Sequence, residues 1–131
     1  MKIINANTLE AKEEILGLLK KSNPNDSQAI LNEWLTLSLG TEVFGVWLAV
    51  NKDKVVGFCV CELQIEDVPI VFVPYVWISD NSAYKLLIEK IENWTKEKEA
   101  VKIKLLTNRS FKTLTNKYGY VFVQAALTKE L

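Results

Sequence analysis

Apolar and polar positions change their spacing several times along the chain, and each change marks an element. Lys2–Asn5 opens as a short apolar strand. Helical spacing follows, with Leu9, Ile15, Leu16 and Leu19 forming a stripe that runs to Lys21. Asn7 or Thr8 stands where a helix N-cap is needed, and Asn7 with Glu10 three residues on has the form of a capping box. SNPND, residues 22–26, breaks the helix. Asp26 or Ser27 then caps a second helix, in which Ile30, Trp34 and Leu37 recur at i, i+4 and i+7 with Leu31 and Leu35 alongside. Gly40 suits its C-terminus.

From Val43 the period shortens to that of a strand. VFGVWLAV is one strand, NKDK a turn, and VVGFCVCELQI the returning strand of a hairpin. EDVP is the next turn. IVFVPYVWI, residues 70–78, is almost continuously apolar, as expected of a central strand covered on both faces. Pro74 cannot donate to a ladder, so it predicts a bulge or an unpaired spot there. Helical spacing returns over 83–98, with Tyr84, Leu87, Ile88, Ile91 and Trp94 on one face. VKIKLLT (101–107) is a strand, SFKTLTNK (110–117) a short helix and GYVFVQAAL (119–127) a last strand.

The predicted order is β-α-α-β-β-β-α-β-α-β. The crossover at 70–107 makes its two strands parallel, while hairpins make the rest antiparallel. The expectation is one α/β (α+β) domain over residues 1–131: a mixed, mostly antiparallel sheet with one parallel strand pair and helices on both faces.

Composition narrows the chemistry. A chain of 131 residues, 49% hydrophobic, with four Trp, four Tyr and five Phe, can bury one core without staples. No apolar run approaches the length of a membrane span, and MKIINANTLEAKEE lacks the apolar core of a signal peptide, so a cytoplasmic protein without a membrane partner is expected. Sixteen basic and sixteen acidic residues cancel, which argues against a general nucleic-acid binder. The charge is unevenly spread: residues 79–131 hold ten of the basic residues and six of the acids, either as solvated surface or as a bias towards a phosphorylated ligand. With no histidine, Ser-His-Asp and Cys-His catalysis are excluded. Cys59 and Cys61 lie on the same side of one strand, where they cannot easily bond each other, and no further Cys or His exists to complete a metal site. They read as core residues, and no metal is expected.

VWISDNSAYKLLIEK, residues 76–90, runs from a buried strand through a very short turn into a helix. Such a junction is an anion site, because unpaired N–H groups and the helix dipole converge there. Pyrophosphate sites of this kind use glycines so that backbone can approach the phosphates. Here Ser79-Asp80-Asn81-Ser82 has no glycine and carries an acid, and no basic residue occurs between Ile78 and Lys85. Asn81 and Ser82 are also good N-cap residues, and capping alone accounts for both.

NRSFKTLTNKYGY, residues 108–120, resembles the segment N-E-R-A-L-R-F-Y-E-K-L-G-F of the GNAT superfamily of acyl-CoA-dependent N-acetyltransferases. Asn108, Lys117, Gly119 and Tyr120 match without a gap, and the resemblance extends over residues 1–128. It implies that a bulge splays the central strand from its parallel neighbour and that a pantetheine arm lies in the opening. The cofactor-binding positions would then be Val76, Trp77, Ile78, Asn81, Ser82 and Asn108, and the cofactor acetyl-CoA if the protein is active, otherwise none. Two departures stand out. Matching the family's pyrophosphate loop requires deleting four or five residues between Ile78 and Lys85. The family's tyrosine falls on Thr115, whose hydroxyl has no useful acidity near neutral pH; Tyr118 and Tyr120 are nearby but aimed elsewhere. Glu62 and Asp80 are the acids near the implied cleft, and Glu62 is the one retained as a catalytic candidate. The shortening resembles small GNAT-like proteins of tailed bacteriophages. That implies a weak or inactive acetyltransferase, in the host cytoplasm or the virion, working as a binding module on a protein partner. The alternative is an active N-acetyltransferase with a shortened phosphate loop. No motif encodes the acceptor, the partner or the oligomeric state.

Overall fold

The computed structural model describes residues 1–106, 121–123 and 126–130. Asn108, Thr115 and the helix expected at 110–117 lie outside the described residues. The elements in chain order are β1 (Lys2–Asn5), a short 3-10 turn (Leu9–Ala11), α1 (Lys12–Ser22), α2 (Gln28–Ser38), β2 (Phe44–Asn51), β3 (Lys54–Ile65), β4 (Pro69–Ile78), α3 (Ser82–Glu97), β5 (Lys102–Leu105), β6 (Val121–Val123) and β7 (Ala126–Glu130). The strands form one sheet in the order β1-β2-β3-β4-β5-β7-β6. Among the described residues only β4 and β5 run parallel, as the crossover requires, and the other pairs are antiparallel.

Period-2 alternation sends neighbouring residues of each strand to opposite cores. Trp47, Ala49, Cys59 and Cys61 face α3 and pack on Leu87, Ile91 and Trp94. Val46, Leu48, Phe58 and Val60 face the other way, onto Ile15, Leu19, Leu31 and Leu35 of α1 and α2. Both cysteines are buried and unbridged, as expected. The β2–β3 turn puts Lys52 and Asp53 at φ 51° and 66°, the two left-handed residues that a tight hairpin needs.

Four local expectations are corrected. Asn7 caps no helix. Its Nδ2 donates to the carbonyls of Thr41 (3.0 Å) and Phe44 (2.7 Å), and its Oδ1 accepts from Gly40 N–H (2.8 Å), so it fastens the α2–β2 loop to the start of the chain. Thr8 occupies the cap position of the 3-10 turn without a side-chain bond. Helix α2 is capped by Ser27, but it docks Leu31 and Leu35, leaving Ile30 and Leu37 69% and 73% exposed. The helix carries two adjacent apolar stripes; the one continuous with Leu39 closes over β2 and β3. The run 119–127 is not one strand: its described parts, β6 and β7, pair antiparallel with each other.

Pro74 does what its chemistry demands. Glu62 is opposite Phe72 and Val60 opposite Tyr75, so Val73 and Pro74 together face Cys61 as a bulge on β4. The parallel pairing with β5 stops at the same place. Its last partners are Val73 and Leu105, followed by one bond from Leu106 N–H to Val73 O at 3.0 Å.

Candidate functional site

The β4 bulge, the turn after Ile78 and the start of α3 form one continuous stretch. Ile78 lies opposite Gly57, and Ser79 N–H donates to Val56 O at 2.9 Å. In an antiparallel ladder this places Ile78 and Val76 at positions whose main-chain groups point away from β3, towards the side where β5 has already ended. The main chain of Trp77 points the other way, into the pairing with Phe58, and its ring packs 6.1 Å from that of Phe58. Among the described residues no strand stands opposite the outward groups of Val76 and Ile78.

The junction itself is closed by its own acid. Asp80 Oδ1 accepts from Ser82 N–H at 2.9 Å and from Ser82 Oγ–H at 2.6 Å, and Ala83 N–H donates to the Asp80 carbonyl at 2.9 Å. The Ser82 hydroxyl and then its backbone N–H hold the Asp80 carboxyl below its ordinary range, so it is ionised at the helix N-terminus, where the dipole favours it. The expected cap pair is therefore corrected. Asn81 is already helical (φ −59°, ψ −23°) and makes no side-chain cap bond, while Ser82 donates instead of accepting. Asp80 takes the capping role because it sits two residues before the first unpaired N–H.

Glu62 lies on the other face of the sheet, beside the bulge. Its Oε2 accepts from Trp34 Nε1 at 3.1 Å and its Oε1 from Gln64 Nε2 at 2.8 Å. It lines a hollow of about 310 Å³ with Ile30, Trp34, Phe72, Pro74 and Tyr75. Trp34 is edge-on to Phe44 (5.2 Å between centroids) and tilted against Tyr75 (5.9 Å). Tyr75 Oη donates to Asp26 Oδ2 at 2.6 Å, which ties the α1–α2 loop to β4. Burial, and then the bond to Asp26, push the Tyr75 phenol well above its usual range.

Of the residues singled out from the sequence, Val76, Trp77, Ile78, Asn81 and Ser82 are thus gathered at one strand–helix junction. Glu62 belongs to a separate hollow, and Asn108 lies outside the described residues. Trp34, Gln64, Tyr75 and Asp26 carried no functional signal in the sequence. Only Tyr75, next to the bulge-forming Pro74, had a position that could have drawn notice.

No protein-family model matches the sequence, and no curated protein matches it either. Solved structures do match by shape. A predicted acetyltransferase from Clostridium acetobutylicum, solved with acetyl-CoA, aligns with a TM-score of 0.80 at 13% identity over 94% of this chain and 91% of its own. An aminoglycoside 6'-acetyltransferase type Ii aligns at 0.75 and 18% identity, over 99% and 97% of the two chains. An acetyltransferase of the GNAT family from Streptococcus pneumoniae aligns at 0.72 and 15% identity, over 99% of each. At these identities the likeness is one of fold: the chain has the fold of GNAT acetyltransferases. Among the described residues no helix is long and apolar enough to cross a membrane.

Proposed function

We propose that this is a GNAT-fold binding protein, a pseudoenzyme or very weak acetyltransferase that has lost tight nucleotide binding and acts through a protein partner. The phage-encoded setting implied by the sequence resemblance belongs to the same proposal. The observation that carries it is the Asp80 carboxylate bonded to Ser82 at the N-terminus of α3. A pyrophosphate would have to displace that carboxylate or lie beside it, anion against anion, with no glycine to open the turn and no cation before Lys85 to compensate. Of the groups that acetyl-CoA presents, the pantetheine arm fits the open main chain at Val76 and Ile78, and the pyrophosphate does not fit the turn. Thr115, in place of the family's tyrosine, adds to the reading, because its hydroxyl cannot protonate a departing thiolate near neutral pH.

A second reading is favoured by one observation. The β4–β5 pairing ends at Val73, and a pantetheine arm would pair with the main chain of β4 beyond that point. An enzyme holding acetyl-CoA by that arm alone would place Glu62, next to the bulge, as the carboxylate able to accept a proton from an amine. Calorimetric titration with acetyl-CoA and with CoA separates the two. The first reading expects no measurable heat of binding. A dissociation constant tighter than about 10 µM, or about −7 kcal/mol, overturns it.

A further inference from the structure

At the far end of α3 from the strand–helix junction lies another hollow, of about 500 Å³, between the C-terminal half of the helix and the start of β2. We propose that it binds a small zwitterion whose ammonium and carboxylate are separated by a short apolar chain, as in an ω-amino acid. The inference goes beyond the reading above, since it needs neither CoA, acyl transfer nor the β4 bulge.

Helical spacing brings Lys90, Asn93, Trp94, Glu97 and Lys98 to one side of α3, at i, i+3, i+4, i+7 and i+8. The facing wall is Asn5 and Asn7 at the end of β1, with Thr41 and Glu42 before β2. The topology gives the hollow a direction. A crossover between parallel strands makes α3 run back against β4, and two antiparallel pairings make β2 run with β4, so α3 and β2 are antiparallel. Trp94 stands over Gly45 and Trp47. One turn earlier, Lys90 lies towards Trp47 and its strand partner Asn5; one turn later, Glu97 lies towards Phe44 and Glu42. The hollow therefore has a basic end at Lys90 and an acidic end at Glu42 and Glu97. Lys90 and Glu97 are separated by about 10 Å along the helix axis.

These charges are not spent on each other. Among the described residues no ion pair involves Glu42, Lys90 or Glu97. Lys98 Nζ lies over the Trp94 ring, 5.7 Å from its centroid, and two carboxylates against that one ammonium leave the acidic end negative. The C-terminus of α3 adds the negative pole of the helix dipole at the same end. Between the two ends the floor is Phe44, Gly45 and the two tryptophans, which offer apolar surface to a methylene chain. The walls are held before any ligand arrives. Asn7 ties the loop that carries Glu42 to the end of β1 through the Thr41 and Phe44 carbonyls and the Gly40 N–H, and its own N–H donates to Asn5 Oδ1 at 2.8 Å. Binding would order the ligand more than the protein, which favours affinity.

Other ligand classes fit worse. An anion meets Glu42 and Glu97, and a polycation meets Lys90. A neutral molecule gains neither ion pair. An α-amino acid carries both charges at one carbon and cannot reach both ends. The volume is ordinary for a small-molecule site, while the exposure of Lys90, Glu42 and Glu97 keeps each ion pair weak.

The test titrates the full chain, without CoA, with 6-aminohexanoate, with hexylamine and hexanoate as its singly charged counterparts, and with glycine as the short zwitterion. Ligand-observed NMR reads the affinities near pH 7, where the amines are cationic and the carboxylates ionised. 6-Aminohexanoate is expected to bind at least about threefold more tightly than each of the others. Lys90→Gln, on the exposed side of α3, should bring 6-aminohexanoate down to hexylamine and leave hexylamine within about twofold of its wild-type value. The double variant Glu42→Gln/Glu97→Gln should bring it down to hexanoate. Hexylamine, hexanoate or glycine binding as tightly as 6-aminohexanoate to the wild-type chain would overturn the proposal without reference to any variant. So would 6-aminohexanoate binding that ignores Lys90→Gln, which would place it elsewhere on the molecule, or no saturable binding up to about 10 mM.

Discussion

Gly45 sits against two tryptophan rings of the α3-side core, and Gly45→Ala tests how close that approach is. The residue lies on β2, opposite Cys61, on the same face as Trp47. A methyl group there would stand 2.6 Å from Cη2 and 2.9 Å from Cζ3 of Trp47, and 3.2 Å from Cε2 of Trp94. Both rings are largely buried and in contact with each other. Trp47 is 5% and Trp94 8% exposed, they meet edge-to-face at 5.7 Å, and Lys98 covers the Trp94 ring from outside. Overpacking of this kind costs about 1–3 kcal/mol. Because Gly45 has an ordinary extended backbone, alanine recovers about 0.4–1 kcal/mol by restricting the unfolded chain. The expected net loss is about 1–2 kcal/mol, or about 4–8 °C in melting temperature for a domain of this size. Urea unfolding followed by tryptophan fluorescence should show a lower midpoint at unchanged slope. Trp47→Phe removes the two nearest ring atoms, so in the alanine background it should restore stability relative to the sum of the single changes, by about 1 kcal/mol. Gly45→Ala as stable as wild type, or a strictly additive double variant, would refute the close approach of these rings.

Trp94→Ala should cost about 3–5 kcal/mol, a large part of the stability of a domain this size, and a melting temperature within a degree or two of wild type would show that α3 docks by another face. Asp80→Gly should lower stability slightly and raise CoA affinity from unmeasurable to measurable; if the wild type binds CoA and the substitution abolishes it, the turn is a working phosphate loop. Asp80 also makes a pH prediction. Its carboxyl titrates below the ordinary 3.8, so its contribution is complete above that pH and is lost as the pH falls through the lower folded value. Asp80→Asn should remove that part of the acid limb in a plot of stability against pH. Tyr75 has the opposite sign. Its phenol titrates above the usual 10.0, so stability is unaffected below that pH and declines as the pH rises beyond it. Tyr75→Phe should lack this alkaline decline, and identical slopes for the two proteins above about pH 10 would count against the Asp26 contact.

What the sequence made legible was the chemistry of short stretches. NKDK announces a hairpin because two adjacent residues must adopt positive φ there. Pro74 announces a bulge because it lacks a donor, and the α3 face is legible because Leu87, Ile91 and Trp94 share one unambiguous stripe. Where two local solutions had similar quality, the sequence did not choose between them. Helix α2 has two apolar stripes, and its docking depends on β2 and β3, which come later in the chain. Any of Asp80, Asn81 and Ser82 can cap a helix; in the fold Asn81 is already helical and the Asp80 carboxylate takes the Ser82 N–H. Asn7 looks like a cap until the loop 33–37 residues away supplies better partners.

The same distinction separates the strand–helix junction from the hollow on the other face of the sheet. At the junction, four consecutive residues determine the outcome. Their missing glycine and added acid could be weighed from the sequence, and the carboxylate is found where an anion would otherwise bind. At the hollow, Glu62 meets Trp34 across 28 positions and Tyr75 meets Asp26 across 49. The sequence could show only an acid near the end of a strand, which is most often a solvated residue. What changes its meaning is the company brought by folding: two neutral donors, no cation among the described residues and a set of apolar walls. It is this long-range arrangement, not the residue type, that fixes the Glu62 side chain beside the bulge.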